Sequence, residues 1–169
     1  MFVIKGIILL LIFIITNYIG ISFSKKYKSR VNELKEIKST LNIFLSKIKM
    51  TYEPIPQIFK EIGIKNKTNI ESIFKKASEN MEKMSAGDAW NDAIEKQENN
   101  LTTEDKDVLK RLGDLLGKTD LEGQVSEVEL VDKFIDTQIE KAEEEYKKNA
   151  KISKTLGSVI GLALVIVLI

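Results

Sequence analysis

Cysteine and histidine are both absent from the 169-residue chain. Without them there are no disulfides, no thiolate or imidazole metal ligands and no Cys- or His-based nucleophile and base pairs. An enzyme built on this chain would have to work with carboxylates, lysines and hydroxyls. Proline is scarce, at 2 residues against 9 glycines, so few positions force a helix to stop. The abundance of Leu, Ile, Lys and Glu makes the composition that of a helical protein. Excess charge of one sign is lacking too. Against 26 Lys and Arg stand 25 Asp and Glu, so no global field draws in nucleic acid or another polyanion, and a nucleic-acid partner is not expected.

One stretch suggests nucleotide chemistry at first sight: Gly113 to Asp120, "GDLLGKTD". A phosphate-binding loop needs four residues between its glycines so that successive N–H groups curl around the phosphate. Only Asp114, Leu115 and Leu116 separate Gly113 from Gly117. Such a loop must also follow a buried strand, whereas Val108, Leu109, Leu112, Leu115 and Leu116 recur at helical spacing. The glycines therefore interrupt helices, and ATP does not explain them.

Both ends are apolar. Gly6 to Phe23, "GIILLLIFIITNYIGISF", carries no charge and is near the minimum that crosses a hydrocarbon layer of about 30 Å. It reads as a membrane anchor. The competing reading is a cleaved signal peptide, but no small-x-small cleavage pattern follows the run. Thr155 to the terminus is also uncharged, and at about 1.5 Å per residue it falls short of a full bilayer. It crosses if the membrane thins or if Lys151 and Lys154 snorkel; the alternative is a buried core helix. Lys25, Lys26, Lys28 and Arg30 follow the first run, Lys147, Lys148, Lys151 and Lys154 precede the second, and only Lys5 lies beyond. By the charge rule the chain is a two-pass protein of the cell membrane, with a cytosolic middle and both termini outside. The expected division is 1–24 membrane segment, 25–152 cytosolic helical domain and 153–169 membrane segment.

The middle reads as a succession of helices, giving an all-α fold: a six-helix cytosolic bundle whose long first and last helices continue into the membrane segments. Val31, Leu34, Ile37, Leu41, Phe44, Leu45 and Ile48 form one apolar stripe, with no glycine or proline between Ser24 and Tyr52. Glu53, Pro54 and Pro56 end that helix and start a short one burying Ile55, Ile58, Phe59 and Ile62, up to Gly63. After the loop "KNKTN", with Thr68 or Asn69 as cap, Ile70, Ile73, Phe74, Ala77 and Met81 mark a third helix. Ser85 with Asp88 and Thr102 with Asp105 have capping-box spacing and open the fourth and fifth. The fourth carries Ala89, Trp90, Ala93 and Ile94 on one face. Gly117 sits where a left-handed residue ends the fifth helix, and Thr119 or Asp120 caps the sixth. Gly113 has no capping role, which implies that a neighbouring helix passes too close for a Cβ. The last helix carries Leu121, Val125, Val128, Val131, Ile135, Ile139, Ala142 and Tyr146 on one side, with an acidic row elsewhere.

Leu112, Gly113, Leu116, Gly117, Asp120 and Gln124, within "LTTEDKDVLKRLGDLLGKTDLEGQ", resemble the signature of the stage III sporulation protein AB family: two Leu-Gly pairs about one turn apart, then Asp and Gln. "KMTYEPIPQIF", "DAW" at Asp88 to Trp90 and an apolar segment at each end extend the resemblance over the whole chain, although the second segment is short. The resemblance implies a non-enzymatic part of the channel joining mother cell and forespore in endospore-forming bacteria, on the mother-cell side of the forespore outer membrane. It also implies a cytosolic domain similar to the helical domain of the platform protein F of type II secretion and type IV pilus machines. The implied partners are an ATPase of the stage III sporulation protein AA family and other channel subunits.

No catalytic, metal or cofactor-binding residue is assigned, and the six signature residues are read as specifying the fold. Trp90 is a candidate partner contact, because tryptophan is enriched at binding hot spots, but the face it shares with Ala93 and Ile94 favours the core. Asp136, Glu140 and Glu143 are candidates to dock a basic partner or a divalent cation, against the plainer reading of a solvated helix face. Glu53, Asp120 and Gln124 read as caps or buried polar contacts. Three functions stay open: a platform subunit of a membrane machine, a carboxylate-based membrane enzyme, and a membrane-bound adaptor or sensor outside any fixed machine.

Overall fold

The uncharged N-terminal run passes into the amphipathic stripe without a helix breaker, and in the computed structural model the two form one helix, α1 (Phe2–Thr51). The structure describes residues 2–51, 53–64 and 67–168, without the side chains of Phe2, Val3, Lys5, Leu115, Lys154 and Leu168. The expectations placed on Tyr52, on Lys65 and Asn66 of the loop, and on the side chains of Lys5, Leu115 and Lys154 lie outside the described residues. Then come α2 (Ile55–Gly63), α3 (Asn69–Asn80), α4 (Ala86–Lys96), α5 (Thr103–Leu115) and α6 (Leu121–Leu168), with no strand among the described residues. α1 and α6 each contain a stretch long and apolar enough to cross a membrane, with mean hydropathy of 2.3 and 1.7.

Helix ends follow their caps. Pro54 precedes α2 in extended geometry and Pro56 sits in its first turn, where no N–H is needed. Thr68, rather than Asn69, caps α3: its hydroxyl accepts from the Glu71 N–H at 3.1 Å. Ser85 accepts from the Asp88 N–H at 3.2 Å. At α5 the capping box is complete, with the Thr102 N–H donating to Asp105 at 2.8 Å and the Asp105 N–H to the Thr102 hydroxyl at 3.3 Å.

The chain packs as two units, Asn32–Glu140 and a pair of segments, Met1–Val31 with Lys141–Ile169. The division falls inside the expected 25–152 domain, because α1 and α6 keep pairing beyond their apolar stretches. Arg30, 5% exposed, donates to Glu145 at 2.7 Å in the paired segments.

The 32–140 unit is built around aromatic rings. Phe44 of α1 meets Phe59 of α2, which meets Phe74 of α3, each at 5.0 Å between centroids. Trp90 of α4 touches Phe59 at 5.4 Å and Phe74 at 5.0 Å. Edge-on and tilted contacts of this kind set positive ring edges against negative faces. Leu34, Ile37, Leu41, Ile58, Ile70, Ile73, Ala77, Ala93, Ile94, Leu109, Val128, Val131 and Ile135 surround them and are buried. Ile55 and Ile62 of α2 are half-buried at its edge. Polar groups also enter this unit. Glu33, 8% exposed, accepts from the Asn100 N–H at 2.6 Å, the Asn100 amide at 2.8 Å and the Asn69 amide at 3.3 Å. One carboxylate on α1 thus holds the α4–α5 loop and the start of α3.

In the paired segments the packing is of another kind. A Cβ on Gly20 would lie 2.5 Å from the Ser153 carbonyl oxygen, and one on Gly157 would lie 2.8 Å from the Thr16 carbonyl oxygen. Backbone meets backbone there. Beside the seam the Ser158 hydroxyl donates to the Asn17 side-chain oxygen at 2.7 Å, and the Asn17 amide donates to the Phe13 carbonyl at 2.8 Å.

Candidate functional site

The signature residues converge on one corner, where α5 ends and α6 begins, with the start of α4 packed against the end of α5. α5 brings Leu109, Leu112 and Leu116 into the core at 1–2% exposure. Its last turn closes through the Leu116 N–H, which donates to the Leu112 carbonyl at 3.2 Å. Gly117 follows at φ +74, in the region where a Cβ clashes with the backbone. Asp120 caps α6 by accepting from the Gly123 N–H at 2.9 Å. Gln124 reaches back to donate to the Thr119 carbonyl at 3.0 Å. Its amide satisfies a loop carbonyl that precedes the helix.

Gly113 is the point of closest approach. A Cβ there would lie 2.6 Å from the Asn91 side-chain oxygen and 3.1 Å from the Gly87 carbonyl oxygen, and a Cβ on Gly87 would overlap the Gly113 carbonyl. The close neighbour inferred from Gly113 is thus α4, and Gly87 is the second half of the crossing. The Asn91 oxygen beside it is buried without a hydrogen-bond partner.

Chemically, the corner is a joint. A helix leads into it, and Lys118 is exposed. Trp90 is 1% exposed and its indole N–H donates to the Leu109 carbonyl at 2.7 Å. It is therefore a core residue tying α4 to α5, the reading that the face shared with Ala93 and Ile94 favoured over the candidate partner contact. The indole's one polar group found its partner inside, so burial left nothing to seek at the surface.

The acidic row of α6 divides. Asp136 is held by Lys38 of α1, and Asp132 lies 3.8 Å from the same ammonium. The hydrogen bond to Asp136 raises the Lys38 pKa above its ordinary value. Further along, Lys49 donates to Glu129 at 2.7 Å, and that bond holds the Glu129 carboxyl below the usual carboxylate range. Asp136 is thus engaged within the bundle and not presented as an open contact, whereas Glu140 is exposed and Glu143 half-buried. Among the described residues no three acidic side chains are grouped as a metal ligand set. Glu53 is not a cap: it lies 3.7 Å from Lys47, an ion-pair distance, with one carboxylate oxygen buried and unbonded.

The periodicity had no means of showing Glu33, because an acid on a buried face gives no apolar signal. Gln138, 4% exposed and donating to Glu104 at 3.1 Å, was missed for the same reason. The seam in the paired segments did leave a signal. Gly157 and Gly161 in "GSVIG" have the small-xxx-small spacing of close membrane-helix contacts.

The family model described as stage III sporulation protein AB matches residues 5–169. The chain belongs to that family. Stage III sporulation protein AB of Bacillus subtilis (strain 168) is 25% identical over 161 residues, covering 93% of this chain and 94% of that protein. A solved structure of a stage III sporulation protein AB superposes with a TM-score of 0.63 at 19% identity, covering 70% of this chain and 96% of that one. The second comparison carries the fold alone. With the family, the corner of Gly113, Gly117, Asp120 and Gln124 gains its context: it lies in a sporulation protein whose bundle is flanked by two candidate transmembrane helices.

Proposed function

We propose that the protein is a non-enzymatic platform subunit of the channel complex between mother cell and forespore, inserted in the membrane by α1 and α6, with its bundle on the cytosolic side docking an ATPase of the stage III AA family. One observation carries the reading. The chain of a sporulation family begins and ends in apolar helices, and the lysines flanking both lie on the side of the bundle. The chemistry of the signature corner supports it as well, because the Asp120 carboxylate is spent on capping and the Gln124 amide on closing a loop. In this reading the six signature residues fix the corner, and Glu140 and Glu143 are each candidate contacts for a partner.

Two measurements test the proposal. A reporter fused at the C-terminus should lie outside the cytosol and one inserted near Asn99 inside; a cytosolic C-terminus would end the two-pass arrangement. Affinity purification from sporulating membranes should bring down an ATPase of the stage III AA family. Purification of the protein alone, under conditions that keep other channel subunits together, would favour the adaptor reading instead.

A further inference from the structure

The paired segments carry an open groove and a band of lysines next to it. The groove has a volume of about 290 Å³ and lies beside Gly20 and Gly157, with Ile19, Phe23, Leu156 and Ile160 as its apolar walls. Those four side chains are about half exposed, so the groove opens outward from the helix pair. Its existence follows from the glycines: where α1 and α6 dispense with side chains to approach, the flanking apolar residues leave a furrow.

The contacts fix the level of the charges. Ser158 bonds to Asn17 and Glu145 bonds to Arg30, so the two helices run antiparallel with matched levels from the groove to that ion pair. Lys25, Lys26 and Lys28 therefore stand level with Lys147, Lys148 and Lys151, just beyond Phe23 and Ser153. No acidic residue occurs from Ser24 to Ser29 or from Tyr146 to Ser153. All six lysines are exposed. Arg30 is spent on Glu145, while among the described residues these six have no carboxylate partner. An ammonium band immediately outside an apolar furrow matches a molecule with an anionic head and a hydrocarbon tail.

We propose that this part of the protein binds an anionic phospholipid, with the phosphate at the lysine band and an acyl chain along the groove. The proposal rests on α1 and α6 lying in a bilayer, as set out above. Basic clusters at the cytosolic end of a membrane helix attract anionic lipids electrostatically. Here the furrow adds a place for one chain, which converts diffuse attraction into a site.

The test uses the full chain. Alkaline extraction of membranes comes first: release of the protein would end the membrane reading itself, independently of lipid choice. If it is retained, the protein is purified in a nonionic detergent and titrated with phosphatidylglycerol or phosphatidylcholine of identical chains, and bound lipid is counted by native mass spectrometry. Phosphatidylglycerol should be retained at least tenfold more tightly; equal retention overturns the proposal without any variant. Changing Lys25, Lys26 and Lys28 together to Gln, or Lys147, Lys148 and Lys151 together to Gln, should each weaken that preference severalfold, and the Arg counterparts should keep it. Ile160→Trp, which fills the groove, should lower retention of phosphatidylglycerol while leaving the lysine band intact. Displacement of the lipid by millimolar inorganic phosphate would reduce the site to a plain anion site and overturn the role of the groove.

Discussion

The two units of this protein are held together by opposite means. In the 32–140 bundle, Phe44, Phe59, Phe74 and Trp90 fill the centre with ring area. In the paired segments, Gly20 and Gly157 remove side chains so that backbones touch. The proposed placement of the bundle in water and the paired segments in lipid accounts for the difference. Where solvent surrounds the folded unit, removing apolar area from it is the main driving force, and large side chains remove the most. Between helices in lipid that force is absent, so close packing and hydrogen bonds such as Ser158 to Asn17 take over. The bundle also borrows the second device, at the Gly87–Gly113 crossing of α4 with α5 and where Gly63 at the end of α2 meets the Lys75 backbone of α3.

The comparison breaks most readily at its largest side chain. Trp90→Ala should destabilise the bundle by about 3–5 kcal/mol, the usual cost of emptying a large aromatic site, and it also removes the indole's bond to the Leu109 carbonyl. Urea unfolding of the full chain in micelles, followed by circular dichroism, measures this; a loss below 1 kcal/mol would mean that the rings are not the centre of the fold. Next come the glycines. Gly113→Val should cost about 1–3 kcal/mol through overpacking against α4, and Gly157→Val should lower the resistance of the helix pair to sodium dodecyl sulfate. If Gly157→Val leaves that resistance unchanged, the seam is not what joins the segments.

A smaller effect is expected at the turn itself. Gly117→Val should cost about 1–2 kcal/mol, the penalty of a left-handed backbone for an L-residue, while Lys118→Ala should stay within about 0.5 kcal/mol, as exposed substitutions do. A phosphate loop reverses the ranking, since Lys118→Ala would then abolish function and ATP would bind the parent.

The smallest effect concerns pH. Burial raises the Glu36 pKa above the ordinary 4.5, with the charges of Glu71 and Glu33 adding to it and the hydrogen bond from Thr68 opposing. An acid whose folded pKa is raised stabilises the fold fully below its unfolded value, and that contribution is lost as pH rises through the folded value. Stability should therefore fall slightly as pH climbs from 4.5, and Glu36→Gln should flatten that slope while keeping an acceptor for the Thr68 hydroxyl. An unchanged slope in the variant would show that other groups set it.

The core positions of α1, α3 and α4 were legible in the sequence because their apolar residues repeat at helical spacing, and Thr102 with Asp105 and Gly117 announced their roles by type and order. Two features lay beyond such reading. Gly87 is an ordinary helical glycine until its partner Gly113 is known, because the clash that excludes a Cβ comes from a residue far along the chain. The pairing of α1 with α6 beyond the apolar runs also lay outside such reading, since hydropathy ends at Phe23 whereas Arg30 bonds to Glu145. Charge complementarity between distant positions leaves no periodic trace.

The burial of Trp90 has an optical consequence. The chain contains one tryptophan, and it stands among rings in the bundle with its N–H already bonded. Light absorbed by that indole alone reports on a single place, so its emission should be blue-shifted in the native protein and move to the red only when the aromatic centre opens. The membrane segments contain no tryptophan and contribute nothing to that signal. Unfolding of the bundle can therefore be watched in the intact chain, in detergent or in a bilayer, without a label.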